Sequence, residues 1–145
     1  MHDLPRQLSV DELDELFEGH SGLTEELARR DDPLGQARAV LQELPEEAGI
    51  EALNTHPRIG ESGGSERSAD EQGSDDDPAL LAALRRLNKT YEEKFGFRFI
   101  VFVNRRSRSE LLPVLRERLG RTREQELDLA LGELIAIARD RWSSR

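Results

Sequence analysis

The sequence predicts an all-α fold, a single domain over residues 1–145 built as a bundle of roughly six to eight helices with one buried extended segment. Three observations lead there. Helix-start chemistry recurs along the chain, at Ser9-x-x-Glu12, Asp32-Pro33, Asp77-Pro78 and Ser107-x-x-Glu110. Each start is followed by apolar residues three and four apart, the spacing that gathers them on one helical face. Only the run Phe-Arg-Phe-Ile-Val-Phe-Val at 97–103 reads as a strand, and a lone strand has no partner for its backbone groups.

The elements follow in order. Ser9 caps a first helix whose Val10, Leu13, Leu16 and Phe17 share a face. A short second helix is expected from Leu23 to Arg30, and Asp32-Pro33 then opens a third carrying Leu34, Ala37, Val40, Leu41 and Leu44. Pro45 opens a fourth with Ile50 and Leu53; it must stop near His56, because Pro57 drives the preceding residue out of the α region. From Arg58 to Asp77 the chain turns to Gly, Ser, Asp and Glu, so this stretch is expected as an exposed loop with room for one short turn at Ser68. Asp77-Pro78 launches the strongest helix, striped by Leu80, Leu84, Leu87, Tyr91 and Phe95 and closed by Gly96. Beyond the extended segment, Ser107-Arg108-Ser109-Glu110 opens a helix with Leu111, Leu112, Leu115 and Leu119, stopped by Gly120. Thr122 to Gln125 begins the last, whose expected stripe is Leu127, Leu131, Leu134, Ile135, Ala138 and Trp142.

Composition narrows the function classes. The 145 residues include no cysteine and three histidines, His2, His20 and His56, which excludes a disulfide framework and offers no evident zinc site. No apolar run has the length of a membrane span and the start of the chain lacks a secretory pattern, so a soluble cytoplasmic protein without membrane partners is expected. The net charge of -9 repels a polyanionic backbone, and Arg105, Arg106 and Arg108 cluster without interleaved aromatic residues, so nucleic acid is not an expected partner.

Several residues could carry chemistry. His56 precedes a proline at the mouth of the polar loop, and an imidazole with an unperturbed pKa of ~6.5 exchanges protons near neutrality. The plainer alternative is a surface histidine at a helix end. Glu71 lies in Ser68-Ala69-Asp70-Glu71-Gln72, where Ser-x-x-Glu is itself a capping box, although Gly73 and the acids beyond it leave little helix to cap. Asn88, Tyr91 and Lys94 follow one side of the strong helix, with Tyr91 and Phe95 expected in the core. The arginines after Val103 could grip a carboxylate in bidentate fashion, or could simply be solvated.

The order of these signals is specific: His56-Pro57-Arg58-Ile59-Gly60, then Ser68-x-x-Glu71-Gln72, then Asn88-x-x-Tyr91-x-x-Lys94-Phe95-Gly96-Phe97-x-Phe99-Ile100. The set resembles the family of decarboxylases acting on 2-oxo-4-hydroxy-4-carboxy-5-ureidoimidazoline (OHCU), from Glu18-Gly19-His20-Ser21 to Glu133-Leu134. The resemblance implies an all-α enzyme, commonly a homodimer, that takes OHCU as a small-molecule substrate, needs no cofactor or metal, and forms (S)-allantoin in urate degradation. It implies His56 and Glu71 as catalytic residues, with Pro57, Ser68 and Gln72 lining the pocket and the backbone of Phe99, Ile100, Val101 and Val103 edging the substrate. The family places an arginine shortly after that segment. One alignment lands on Asn104 and another on Arg106; Arg106 is the expected anchor, with Arg105 in reserve.

Two other classes compete: a relative that binds a purine-like ligand without turnover, and a helical interaction module in which Ser68-x-x-Glu71 is only a cap.

Overall fold

The computed structural model describes residues 7–58 and 77–144. Among these the fold is all-α, with seven helices and no strand: α1 (Val10–Leu16), α2 (Gly22–Leu27), α3 (Pro33–Glu43), α4 (Glu46–Asn54), α5 (Pro78–Phe95), α6 (Arg108–Arg118) and α7 (Arg123–Ser143). The contacts gather into two compact units, one of residues 1–56 with 131–145 and one of residues 57–130.

In the first unit the caps form where the sequence puts them. The Ser9 hydroxyl accepts from the Glu12 N–H at 3.1 Å while the Glu12 carboxylate accepts from the Ser9 N–H at 3.1 Å, the reciprocal box that satisfies two orphan donors. Leu13, Leu16 and Phe17 are consequently buried together. The second helix is shorter than expected. It ends at Leu27, and the Arg29 and Arg30 N–H groups bond the carbonyls of Glu26 and Leu27 three residues back, a tightened turn in place of further α-helix. Asp32 holds φ at 51° and its carboxylate accepts from the Gly35 N–H at 3.2 Å, starting α3 at Pro33. Leu131, on α7, comes so near Gly49 that an added Cβ would meet its Cδ2 at 3.2 Å, a tight fit that a larger residue in α4 could take only if the leucine shifted by a few tenths of an ångström.

The burial of α7 corrects the expected stripe. Leu134, Ile135 and Ala138 are buried as anticipated, but Leu127, Leu131 and Trp142 are only half-buried, and the row 126, 130, 134, 138, 141 faces inward instead. Two of those positions are charged, Glu126 and Arg141. Arg141 carries its charge inside because it is used there: its guanidinium donates to the Leu16 carbonyl at 3.1 Å and pairs with Glu18 at 3.0 Å.

In the second unit, the Asp77 carboxylate accepts from the Ala79 N–H at 3.1 Å to start α5, and Gly96 ends it at φ 85°, where its N–H reaches the Glu92 carbonyl. Tyr91, Phe95, Phe97 and Phe99 form an aromatic cluster with Tyr91 at its centre, 4.6 Å from Phe95 and 5.3 Å from Phe99 between ring centroids. Ser107 and Glu110 form the second acidic capping box, and Thr122 with Gln125 the equivalent pair before α7.

The segment 97–103 is extended, unpaired with any strand, and buried at Phe97, Phe99, Ile100, Val101 and Val103. Arginines do for its carbonyls what a neighbouring strand would do. Ile100 accepts from Arg118 at 2.7 Å, Phe102 from Arg106 at 2.7 Å and Val103 from Arg106 at 3.1 Å.

Candidate active site

His56 sits at the unwinding end of α4. Its N–H bonds the Leu53 carbonyl at 3.2 Å, and at 4% exposure it is buried, so it is not a solvated surface histidine. The residue before it is fixed from two directions. The Thr55 hydroxyl lies 2.8 Å from the Ala52 carbonyl and 3.4 Å from that of Phe17, and Gly19, at φ 155°, packs so tightly that a Cβ there would lie 2.9 Å from the Thr55 Cβ. The early Glu18-Gly19-His20-Ser21 segment therefore braces the backbone that presents His56.

In the second unit, Pro57 is half-buried and Arg58 clasps Glu92 of α5 through both ends of its fork, at 2.6 and 2.9 Å. The chain leaving His56 is thus anchored two residues later. Ser68, Glu71 and Gln72 lie outside the described residues.

The arginines after the extended segment separate in role. Asn104 and Arg105 have φ of 49° and 66°, and the Arg106 N–H closes on the Val103 carbonyl at 3.0 Å, a reverse turn with two left-handed central residues. Asparagine tolerates that conformation better than most side chains, and Asn104 takes the first of the two positions. Arg105 points into solvent. Arg106 is half-buried and folds back so that Nε and Nη2 meet the carbonyls of Val103 and Phe102, which orients the guanidinium while leaving it N–H groups for a ligand. Phe99, Ile100, Val101 and Val103 are all buried in the segment that this turn ends.

Sequence reasoning missed the charged cluster behind the segment. Glu126 is fully buried and accepts from the Tyr91 hydroxyl at 2.6 Å and from Arg118 Nε at 2.7 Å, both on Oε1, while Arg121 lies 3.1 Å from its Oε2. Burial and the hydrogen bond to Glu126 raise the Tyr91 pKa well above the ordinary phenol value. A signal was present: Glu126 stands four and eight residues before Ala130 and Leu134, on the inward row of α7.

Comparison with known proteins gives one family. The family model described as OHCU decarboxylase matches residues 2–143. A 2-oxo-4-hydroxy-4-carboxy-5-ureidoimidazoline decarboxylase of Halalkalicoccus jeotgali is 34% identical over 74% of this chain, and the match spans 64% of that relative's length. A protein of the same name from Haloferax volcanii is 29% identical over 94% of this chain and 88% of its own. Among solved structures, an OHCU decarboxylase crystallised in the presence of (S)-allantoin shares the fold at a TM-score of 0.75 and 24% identity, covering 92% of this chain and 96% of that one.

Proposed function

The chain belongs to the OHCU decarboxylase family, and from that premise we propose that it converts OHCU to (S)-allantoin and carbon dioxide in urate degradation. The observation that carries the reading is the family match across 2–143, which contains all three ordered motifs. Because that match runs through both compact units, we also propose that they act as one domain.

In the proposed reaction the bond from the ring to the carboxylate breaks, carbon dioxide leaves, and the electron pair enters the conjugated ring. One proton is then delivered to one face, which fixes the product's hand. The ring itself accepts the electron pair, so the chemistry calls for no pyridoxal or metal. Stabilising that developing charge and guiding the proton are the protein's tasks.

Arg106 is assigned to hold an anionic or carbonyl group of the ligand, Glu71 to orient its ring or ureido N–H groups, and His56 to move the proton. Pro57, Ser68 and Gln72 are assigned to the pocket lining, and the backbone at Phe99, Ile100, Val101 and Val103 to its edge, with Arg105 the reserve anchor. The bracing of Thr55 supports the role of His56, since a proton-transfer group works best when its backbone is held. The same proposal takes the protein as a cytoplasmic homodimer acting on a small molecule. No described helix is long and apolar enough to cross a membrane.

The test is to generate OHCU in place from urate with urate oxidase and hydroxyisourate hydrolase, add the protein, and follow optically active allantoin by circular dichroism. Spontaneous decay gives racemate, so a rapid protein-dependent signal that His56→Ala abolishes is the expected result. Turnover no faster than spontaneous decay would replace this reading with the ligand-binding relative.

A further inference from the structure

We propose that Arg118 is a positioning residue for the decarboxylation: its buried guanidinium fixes the Ile100 carbonyl and so sets the backbone edge at 99–103 against which the ligand is held. The proposal rests on the decarboxylase reading and adds a residue outside the motifs that led to it.

Arg118 is 4% exposed and its guanidinium is constrained on three sides. Nη1 donates to the Ile100 carbonyl at 2.7 Å, Nε donates to Glu126 at 2.7 Å, and the guanidinium carbon lies 4.5 Å from the centre of the Phe99 ring. Glu126 is itself held by the Tyr91 hydroxyl at 2.6 Å and by Arg121 at 3.1 Å. Each contact narrows the orientation of the next, and the series ends on one backbone oxygen.

A buried ion pair is a poor way to obtain stability, because desolvation offsets much of the attraction and packed apolar side chains of similar volume do as well or better. What this arrangement supplies is direction. Along an extended chain, the C=O and N–H of residue 100 point to one edge and those of residues 99 and 101 to the other. Drawing the Ile100 carbonyl toward Arg118 therefore turns the amides of Phe99 and Val101 to the opposite edge. None of the N–H groups from 99 to 103 donates to a described residue, although buried backbone donors are almost always paired. Those amides are suited to the carbonyl acceptors of a ureide such as the substrate or its product. A lysine at 118 would keep the charge but, as a point charge on a flexible stem, could not hold Ile100 and Glu126 in one fixed fork.

The experiment compares wild type, Arg118→Lys and a packing control, Leu115→Val, which thins the same buried face of α6 and leaves the Arg118 guanidinium in place. (S)-Allantoin affinity is measured by calorimetry, and KM and kcat by the coupled dichroism assay, all well below each variant's unfolding temperature. For Arg118→Lys we expect the Kd for (S)-allantoin and the KM to rise about tenfold with a smaller change in kcat, as for loss of ligand positioning. Leu115→Val is expected to lower the melting temperature and leave Kd and KM in place. If Arg118→Lys does not fold, Glu126→Gln carries the test, with a rise of about threefold in both constants because the fork loses its charged seat. Unchanged Kd and KM in the folded variant overturn the proposal while the wild-type activity stands. A wild type that neither binds (S)-allantoin nor accelerates OHCU decay removes the decarboxylase reading, and this proposal with it.

Discussion

The Tyr91 hydroxyl donates to the Glu126 carboxylate at 2.6 Å with both side chains closed to solvent. Tyr91 is the chain's single tyrosine, so its ionisation can be followed without interference. Burial first, and the bond to Glu126 second, raise its pKa above the ordinary ~10. The sign follows: the folded state keeps a proton that the unfolded state releases above ~10, so this contribution to stability is full below that pH and is lost as pH rises. Tyrosinate absorbance should stay flat through the range where a free phenol ionises and then appear together with loss of helical dichroism. A smooth titration near the ordinary value with helicity intact would contradict the buried bond. Tyr91→Phe should lower the unfolding free energy by about 1–3 kcal/mol in urea, the range for removing a bond to a charged, buried acceptor.

His20 lies between two carboxylates, with Nδ1 3.0 Å from Asp14 and Nε2 2.8 Å from Glu25. Both contacts favour the imidazolium, and its pKa is raised, by Glu25 first and Asp14 second. The stabilisation is therefore complete below the unfolded value of ~6.5 and is lost as pH climbs through the raised folded value. His20→Gln should flatten that part of the pH dependence of the urea midpoint, and a proton NMR titration of the His20 ring should show the upward shift. The ring is exposed, so salt should weaken the effect.

Gly19 holds φ 155° directly against Thr55, and a Cβ there would lie 2.9 Å from the Thr55 Cβ. Gly19→Ala should cost about 1–3 kcal/mol, combining backbone strain with overpacking. Since Thr55 immediately precedes His56, the same variant should lose turnover at temperatures where it is fully folded. A Gly19→Ala protein with wild-type stability would show that the turn after α1 relaxes freely, and the bracing of Thr55 would have to be abandoned.

How much of this was legible beforehand depends on how local the cause was. Ser9, Asp32, Asp77 and Ser107 capped as read, because a cap is settled within four residues. The segment at 97–103 reads from sequence as buried and unpaired, but the hold of Arg118 on its Ile100 carbonyl does not, since that reach crosses eighteen positions. Glu126 and Arg141 sit on the inward row of α7 because partners elsewhere in the chain neutralise them, and apolar patterning alone favours the neighbouring Leu127 and Trp142. The placement of His56 before a proline at the end of α4 was readable from sequence, whereas its burial depends on packing that only the fold supplies. Asn104, where one alignment puts the family's arginine, takes a positive φ that asparagine adopts readily, and Arg105 beside it takes one too, which no local pattern in the sequence foretells.

That turn also leads to a discrimination between the two candidate anchors. Arg105 occupies a left-handed position and is exposed, whereas Arg106 places Nε 3.1 Å from the Val103 carbonyl and Nη2 2.7 Å from that of Phe102. A guanidinium has five N–H donors, so two bonds to the backbone orient it and leave others for an anionic ligand. Arg106→Ala should therefore lower kcat/KM by about 10²–10³, the loss typical of a preorganised donor aimed at developing charge. Arg105→Ala should change it by less than about threefold, in keeping with an exposed cation. Arg106→Lys should recover little, because a single ammonium cannot reach both carbonyls and a ligand in one plane. Melting temperatures taken on the same preparations separate the two roles of Arg106: loss of the carbonyl bonds lowers stability, while loss of the anchor appears only in kcat/KM. If Arg105→Ala proves the damaging change, the anchor belongs to the left-handed residue, and the turn would have to reverse its presentation when ligand binds.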